Sequence, residues 1–367
     1  MTQLRARRFS PPVLLEYIAK TFLLRFVVLL AGLAIIMQAL DLLAESADIL
    51  AGEGSSSESL WRYTVLRMPM MLGQVVSFAA LLASLLTFAV MAQHSEIVIM
   101  QSTGLSAFRI IFPMMGVCTF IALTHFVFHE AIVVESNEEF ERWKLADFSM
   151  ESTLLPPAPA SAWAVEDNKR IRVQAVQRDG TLLDGVTIFT LGPDQKVQER
   201  TEAGFAIWND GEWKMFDVSH FNAEENATKT AETEPWRTRI PPERFRALSI
   251  DPETVSFGVL RANIKQLERE GLTTTRLVAW LHQKMVGPLG TILMPLLASL
   301  AGFGVLRSGT LFIRVAVGLA FGFSYFVVDN LLLAVGQFGS LPPALAAWAP
   351  LALYFFLGTS VLFYAEE

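Results

Sequence analysis

The sequence predicts an α-helical membrane protein: six transmembrane helices with an all-β, jelly-roll-like domain inserted between the third and the fourth. Three observations carry that expectation. Of 367 residues, 52% are hydrophobic and only 18% charged, too apolar for an ordinary soluble chain of this length. Six stretches carry no charge or carry it only near their ends, and each is long enough for a helix to cross a hydrocarbon core of about 30 Å. In the middle of the chain the hydrophobic period changes to two, the signature of a half-buried strand.

The first apolar stretch runs from Thr21 to Leu43, with Arg25 and Asp41 near its ends. Met68 to Ala92 forms the second and holds no charge, and the third lies between Arg109 and Glu130. Met285 to Leu306, Leu311 to Leu333 and Pro343 to Tyr364 complete the set, the last two separated by a turn signal at Gly336, Gly339, Pro342 and Pro343. Arg5, Arg7, Arg8 and Lys20 precede the first stretch, and Arg109, Arg307 and Arg314 flank two short loops, so the positive-inside bias places the N-terminus in the cytoplasm. An even number of spans returns the C-terminus to the same side and leaves the middle segment outside. A basic opening followed by apolar residues also fits a cleaved signal, but this run is long for one and five more follow. Ser10 and Pro11 open an amphipathic stretch through Val13, Tyr17 and Phe22 that suits the inner membrane surface. The expected domains are residues 1–134, the N-terminal membrane half; 135–274, the outer β domain with flanking helical segments; and 275–367, the C-terminal membrane half.

In the outer segment Ile171, Val173 and Ala175 alternate with Arg170, Arg172 and Gln174, a strand with one buried face. Turn signals at Arg178-Asp179-Gly180, Gly192-Pro193-Asp194 and Asn209-Asp210-Gly211 separate short runs rich in β-branched and aromatic residues, among them Val186 to Leu191, Phe205 to Trp208 and Trp213 to Val218. About eight strands at this spacing predict a sandwich or jelly roll. Helical patterns, Glu135 to Phe148 and Gly258 to Gly271, flank it.

Several function classes are disfavoured. A net charge of -7 with much of its acidity in the middle segment gives no footprint for nucleic acid. Cys118 is the single cysteine and lies in an apolar run, which reads as a buried small hydrophobe. His220 stands apart from other metal-ligating types and reads as structural. No metal motif, cofactor motif or nucleophile elbow appears, and neither does a phosphate loop, so any nucleotide-driven work needs a partner ATPase.

The loop between the second and third stretches reads His94-Ser95-Glu96-Ile97-Val98-Ile99-Met100-Gln101-Ser102-Thr103-Gly104. Ser95 is placed to cap a short helix and Gly104 to end it, Ile97, Val98 and Met100 give it an apolar side, and Glu96 projects. That suits a helix docked into a soluble partner; a solvated loop whose glutamate keeps the helix end in water remains the alternative. At membrane depth Asp41, Arg67, Asp329 and the pair His125 and His129 stand out, because ionisable groups there are costly and mark paired or functional sites. Asp41 and Arg67 are placed to pair, or Arg67 to meet an anionic headgroup. The small-residue face around Phe78, Ala79, Ala80, Leu82 and Ala83 suits acyl chains and helix packing equally.

The loop motif, together with Glu16-Tyr17-Ile18, Asp41, the Trp208 to Trp213 hairpin and the Trp280 to Pro288 stretch, resembles the lipopolysaccharide-export permeases LptF and LptG over essentially the whole chain, nearer the LptG branch. The resemblance implies a permease subunit of an ABC transporter in a bacterial inner membrane, with cytoplasmic termini and a periplasmic β domain. It would extract lipopolysaccharide and pass it to a periplasmic bridge. The implied partners are an LptB-like ATPase dimer, a homologous LptF-like permease and an LptC-like single-span periplasmic protein. Glu96, Ile97, Met100 and Gly104 would couple to the ATPase, Glu96 by pairing with a basic residue there. Spans one, two and five would line a lipid cavity through Gln38, Asp41, Arg67, Met70, Phe78, Leu82, Phe321, Tyr325 and Asp329. The sequence departs from the family where better-known members carry two lysines: Gln38 and Met70 stand there, with Arg67 about one turn away as a substitute cation. Two other classes remain open: a membrane-anchored envelope scaffold or signalling protein binding a partner through its β domain, and a membrane enzyme using Asp41, His125, His129 or His282, which no motif groups together.

Overall fold

The computed structural model describes residues 12–51, 57–145, 148, 162–177, 180–193, 196–209, 211–222, 227–303 and 311–366. Arg5, Arg7, Arg8, Ser10, Pro11 and Arg307, on which the expected orientation partly rests, lie outside the described residues, as do the turn residues Arg178, Asp179, Asp194 and Asp210. The helices are α1 (Pro12–Ala51), α2 (Ser57–Gln93), α3 (Glu96–Ser102), α4 (Ala107–Phe128), α5 (Val134–Leu145), α6 (Pro242–Ser249), α7 (Phe257–Arg269), α8 (Thr275–Gly302), α9 (Leu311–Gln337) and α10 (Pro343–Glu366). A five-residue π-helical turn, His129–Val133, joins α4 to α5. The strands are β1 (Ala162–Glu166), β2 (Lys169–Gln177), β3 (Leu182–Leu191), β4 (Val197–Asn209), β5 (Glu212–Asn222) and β6 (Ala227–Trp236). Two compact units result: Met1–Met150 with Thr275–Glu367, and Glu151–Thr274.

In the first unit five described helical stretches are long and apolar enough to cross a membrane: Val13–Ala51, Ser57–Gln93, Ala107–Lys144, Phe312–Gln337 and Pro343–Phe363. The sixth expected span lies in α8, which is not among the five. The first part of α8 carries Arg276, His282, Gln283 and Lys284, and the residues just after Phe303 are not described. Nevertheless α8 is a hub, packed against α2, α4, α9 and α10. With α2 it builds the core, where Leu81, Phe88, Leu297 and Met294 meet Phe22 of α1, Ile110 of α4, Tyr325 of α9 and Tyr354 of α10. Cys118 is buried in this apolar cluster as a free thiol.

In the second unit the strands run in the order β1-β2-β3-β4-β5-β6, each antiparallel to its sequence neighbour. The described residues form six strands in one sheet, where the sequence suggests about eight; the all-β domain inserted between the helices is as expected. The short runs expected from sequence belong to longer strands: Phe205 to Trp208 ends the 13-residue β4, and Trp213 to Val218 lies within the 11-residue β5. The alternation of Ile171, Val173 and Ala175 does bury one face of β2. The β4–β5 hairpin sets Trp208 opposite Trp213 with the rings 5.4 Å apart. The buried face carries Ile171, Val173, Val186, Ile188, Met215 and Trp213, and α6 lies against β1 and β2 with Phe245 between Trp213 and Trp236. Trp213 donates its indole N–H to the Ile240 carbonyl at 2.9 Å, which ties the segment after β6 to the core. Helix α7 is capped by Ser256, whose Oγ accepts from the Val259 N–H, and buries Leu260, Ile264 and Leu267. Arg246 of α6 pairs with Glu270 at 2.5 Å and holds that carboxyl below its ordinary range.

Candidate functional site

Helix α3 is short, and its ends are set by backbone geometry. At its N-terminus Ser95 adopts a left-handed conformation, φ 59°, and makes no side-chain cap, contrary to the capping role expected of it. Its carbonyl accepts from Ile99 N–H at 3.0 Å. The C-terminus closes in a Schellman arrangement: Leu105 N–H donates to the Met100 carbonyl and Gly104 N–H to that of Gln101. Gly104 takes φ +83°, which costs a residue without Cβ little. Ile97 and Met100, expected on a docking face, are instead buried in the chain's own core with Phe88 and Phe303. A seven-residue helix has too few internal hydrogen bonds to hold itself, so this apolar anchoring is what keeps it folded. The apolar surface left outside is Val98 and Ile99, 65% and 60% exposed. Glu96 stays partly exposed and accepts from the Tyr17 hydroxyl of α1 at 3.3 Å.

At the far ends of α1 and α2 the structure brings Asp41 and Arg67 together. Asp41 Oδ2 accepts from the Tyr63 hydroxyl at 2.6 Å and lies 3.4 Å from Arg67 Nε, an ionic contact without hydrogen-bond alignment. Arg67 also directs Nη1 to the Met70 sulfur at 3.3 Å, and its guanidinium lies 5.0 Å from the centroid of Phe140 in α5. Arg62 does the same over Trp143 and pairs with Glu139 at 3.1 Å. Arg67 is therefore a paired cation, and any anion it meets competes with Asp41. One turn before Asp41, Gln38 is buried with neither amide atom hydrogen-bonded among the described residues.

A second polar pair joins α8 to α9. Gln283 Nε2 donates to Asp329 Oδ2 at 2.8 Å, while Asp329 Oδ1 and Gln283 Oε1 are buried without a hydrogen-bond partner among the described residues. Tyr325, one turn earlier, packs against Tyr354 and Phe326. Its hydroxyl approaches Gly290 so closely that a Cβ there would lie 2.7 Å away, so α8 admits the ring only where it lacks a side chain. Phe78 of α2 meets Phe326 at 6.2 Å and Phe321 meets Tyr354 at 5.4 Å. Leu82 is half-buried on α2.

The expected cavity residues thus separate into two groups, Gln38, Asp41, Arg67 and Met70 on α1 and α2, and Phe78, Leu82, Phe321, Tyr325 and Asp329 on α2 and α9. Helix α2 is the shared neighbour of α1 and α9. Of the acid–base candidates of the enzyme reading, Asp41 pairs with Tyr63 and Arg67, His129 lies 3.7 Å from Glu130 and His282 meets Trp348 Nε1 at 3.4 Å, while His125 Nδ1 is buried without a hydrogen-bond partner among the described residues. His220 is braced by Thr201 at 3.0 Å and Glu234 at 2.7 Å across neighbouring strands, a structural arrangement. Sequence reasoning missed Tyr63 and Gln283, and it gave Tyr17 no contact with Glu96. Tyr63 had a signal, standing one helical turn before Arg67 on the same face; Gln283 had none, its partner lying 46 residues away.

The family described as "Lipopolysaccharide export system permease LptF/LptG" matches residues 16–365. The chain is 25% identical over 360 residues to lipopolysaccharide export system permease protein LptG of Escherichia coli K12, covering 95% of this chain and 98% of that protein. It is 27% identical over 308 residues to LptG of Haemophilus influenzae, covering 82% of this chain and 85% of that one.

Proposed function

Because the chain belongs to the LptF/LptG family of lipopolysaccharide export permeases, we propose that it is a permease subunit of a lipopolysaccharide export transporter in a bacterial inner membrane. The observation that carries this reading is colinearity: the likeness to LptG runs through both membrane halves and the inserted β unit, over 95% of the chain. In this reading the termini are cytoplasmic and the β unit is periplasmic. The polar and aromatic residues of α1, α2 and α9 serve the lipid, and a homologous LptF-like permease completes the cavity. An LptC-like single-span protein continues the path by pairing with an edge strand of the β unit.

The energy comes from an LptB-like ATPase dimer that seats on α3. Support lies in its construction: Ile97 and Met100 fasten it to the core, and Val98, Ile99 and Glu96 are left for a partner. A push on a helix fastened in this way reaches α2 directly, and through Tyr17 and Glu96 it reaches α1. ATP-driven motion then shifts the population between open and closed arrangements of the spans.

Replacing Glu96 with Ala tests the coupling. Capture of the ATPase by the purified permease should weaken by about thirty-fold, the scale for truncating one side of a hydrogen-bonded charge pair at an interface. Lipopolysaccharide export in cells should fail with it. Undiminished ATPase capture with normal export would refute the coupling role.

A further inference from the structure

In the β unit, away from every residue assigned above, a cleft of about 310 Å³ is lined by Glu166, Asp167, Asn168, Lys169, Arg237, Thr238 and Arg239. One wall is the β1–β2 turn, where Asp167 takes φ 51°. The opposite wall is the segment leaving β6.

Both walls are rigid for reasons independent of any ligand. Asn168 is clamped to the end of β3: its Nδ2 donates to the Leu191 carbonyl at 3.0 Å, and its own carbonyl accepts from Leu191 N–H at 2.9 Å. Across the cleft, Glu166 accepts from the Thr238 hydroxyl at 2.7 Å and from the Arg239 backbone N–H at 2.6 Å, so both carboxylate oxygens are engaged. Thr238 Oγ1 in turn accepts from Ile240 N–H, and the Ile240 carbonyl is held by Trp213. The edge strand β1 is thereby tied to the chain beyond β6, and the cleft is the space this closure leaves.

Its charge is unusual for this chain. Lys169, Arg237 and Arg239 have no ion-pair partner among the described residues, and Glu166 spends both its oxygens on Thr238 and a backbone N–H. Three cations against two carboxylates, Glu166 and Asp167, leave this lining with one net positive charge in a protein whose net charge is -7. Guanidinium groups present planar forks of donors that match phosphate oxygens, and an ammonium adds a point charge. The volume is at the lower end for small-molecule sites, which run from roughly 300 to 1,000 Å³, room for one sugar unit and its phosphate. The Asp167 carboxylate and the Asn168 amide oxygen suit sugar hydroxyls, while the Thr238 hydroxyl is spent on Glu166 and the Ile240 N–H.

We propose that this cleft is a binding site for a phosphorylated saccharide, with Arg237, Arg239 and Lys169 holding the phosphate and Asp167 and Asn168 meeting the sugar. The geometry carries the site itself; that its natural occupant is the phosphorylated saccharide portion of a passing lipopolysaccharide rests on the export reading.

The full-length chain in lipid nanodiscs is titrated calorimetrically with glucose 6-phosphate, glucose and inorganic phosphate. Glucose 6-phosphate should bind and glucose should not, with binding weakened by added salt, as screening of partly exposed charges requires. Arg237→Ala with Arg239→Ala should weaken it by about ten-fold or more, and Arg237→Lys with Arg239→Lys by less, since charge remains and the fork is lost. Thermal unfolding of both double variants is followed alongside; these side chains are exposed, and the midpoint should not move. No binding of glucose 6-phosphate, or binding unchanged by the alanine pair, overturns the site. Inorganic phosphate binding as tightly as glucose 6-phosphate overturns the saccharide assignment. In cells, a photocrosslinker at Lys169 should capture lipopolysaccharide, less so in the alanine pair. Capture from Phe78 but not from Lys169 overturns the cleft's assignment and leaves the export reading intact. Glucose 6-phosphate binding without lipopolysaccharide capture from either position removes the export reading and leaves the cleft a phosphosugar site.

Discussion

Two polar sites at membrane depth, Asp41 with Arg67 and Asp329 with Gln283, resemble each other in sequence and differ in how their needs are met. The first is closed on itself: Asp41 has a hydroxyl and a guanidinium against one oxygen, and Phe140 covers the cation. The second is half made: one Asp329 oxygen accepts an amide N–H, and the other, like the Gln283 carbonyl oxygen, lies buried without a hydrogen-bond partner among the described residues. A satisfied buried pair resists change, because removing one member leaves the other uncompensated. A half-satisfied pair tolerates change that adds a donor. Structural anchorage belongs to the first site and adaptability to the second.

The largest effect should come from Asp41→Ala, which strips Arg67 of its anion and Tyr63 of its acceptor. Loss of about 2–3 kcal/mol is expected, below the full scale for a buried pair because both side chains keep 23% exposure. Thermal unfolding of the purified chain in one detergent reads it. Tyr63→Phe removes only the 2.6 Å hydrogen bond and should cost about 1–2 kcal/mol in the same assay. Smallest is Asp329→Asn, which keeps an acceptor for Gln283 Nε2 and places an amide N–H where the orphaned oxygen stood. The change should stay within about 0.5 kcal/mol or be stabilising. Should Asp329→Asn cost as much as Asp41→Ala, the two sites are alike and the contrast fails.

The membrane architecture is legible from sequence because the bilayer sets the length of each apolar run, and the strands are legible because a half-buried sheet alternates. Facing direction is less legible. The apolar windows of α1 and α2 are about equally hydrophobic, yet 17% of the first and 67% of the second is buried within the chain. When nearly every residue is apolar, periodicity no longer marks the inner side. The same limit misplaced Ile97 and Met100, whose apolar character announced a contact but not whether the contact was with a partner or with Phe88. Gly104 was readable because only a local backbone demand was involved. The Gln283–Asp329 and Ser77–Thr291 bonds were not, the latter joining residues 214 positions apart through α2 and α8.

The π-helical turn at His129–Val133 sits where the third apolar stretch gives way to an amphipathic one. Opening the helix by one extra residue sets back the azimuth of everything downstream by about 100° relative to an uninterrupted α-helix. Phe140 and Trp143 of α5 thereby point at Tyr63, Arg67 and Arg62 of α2. A single residue of phase, in a turn packed against α2, decides which side of the rod carries the aromatic lid over the Asp41–Arg67 pair.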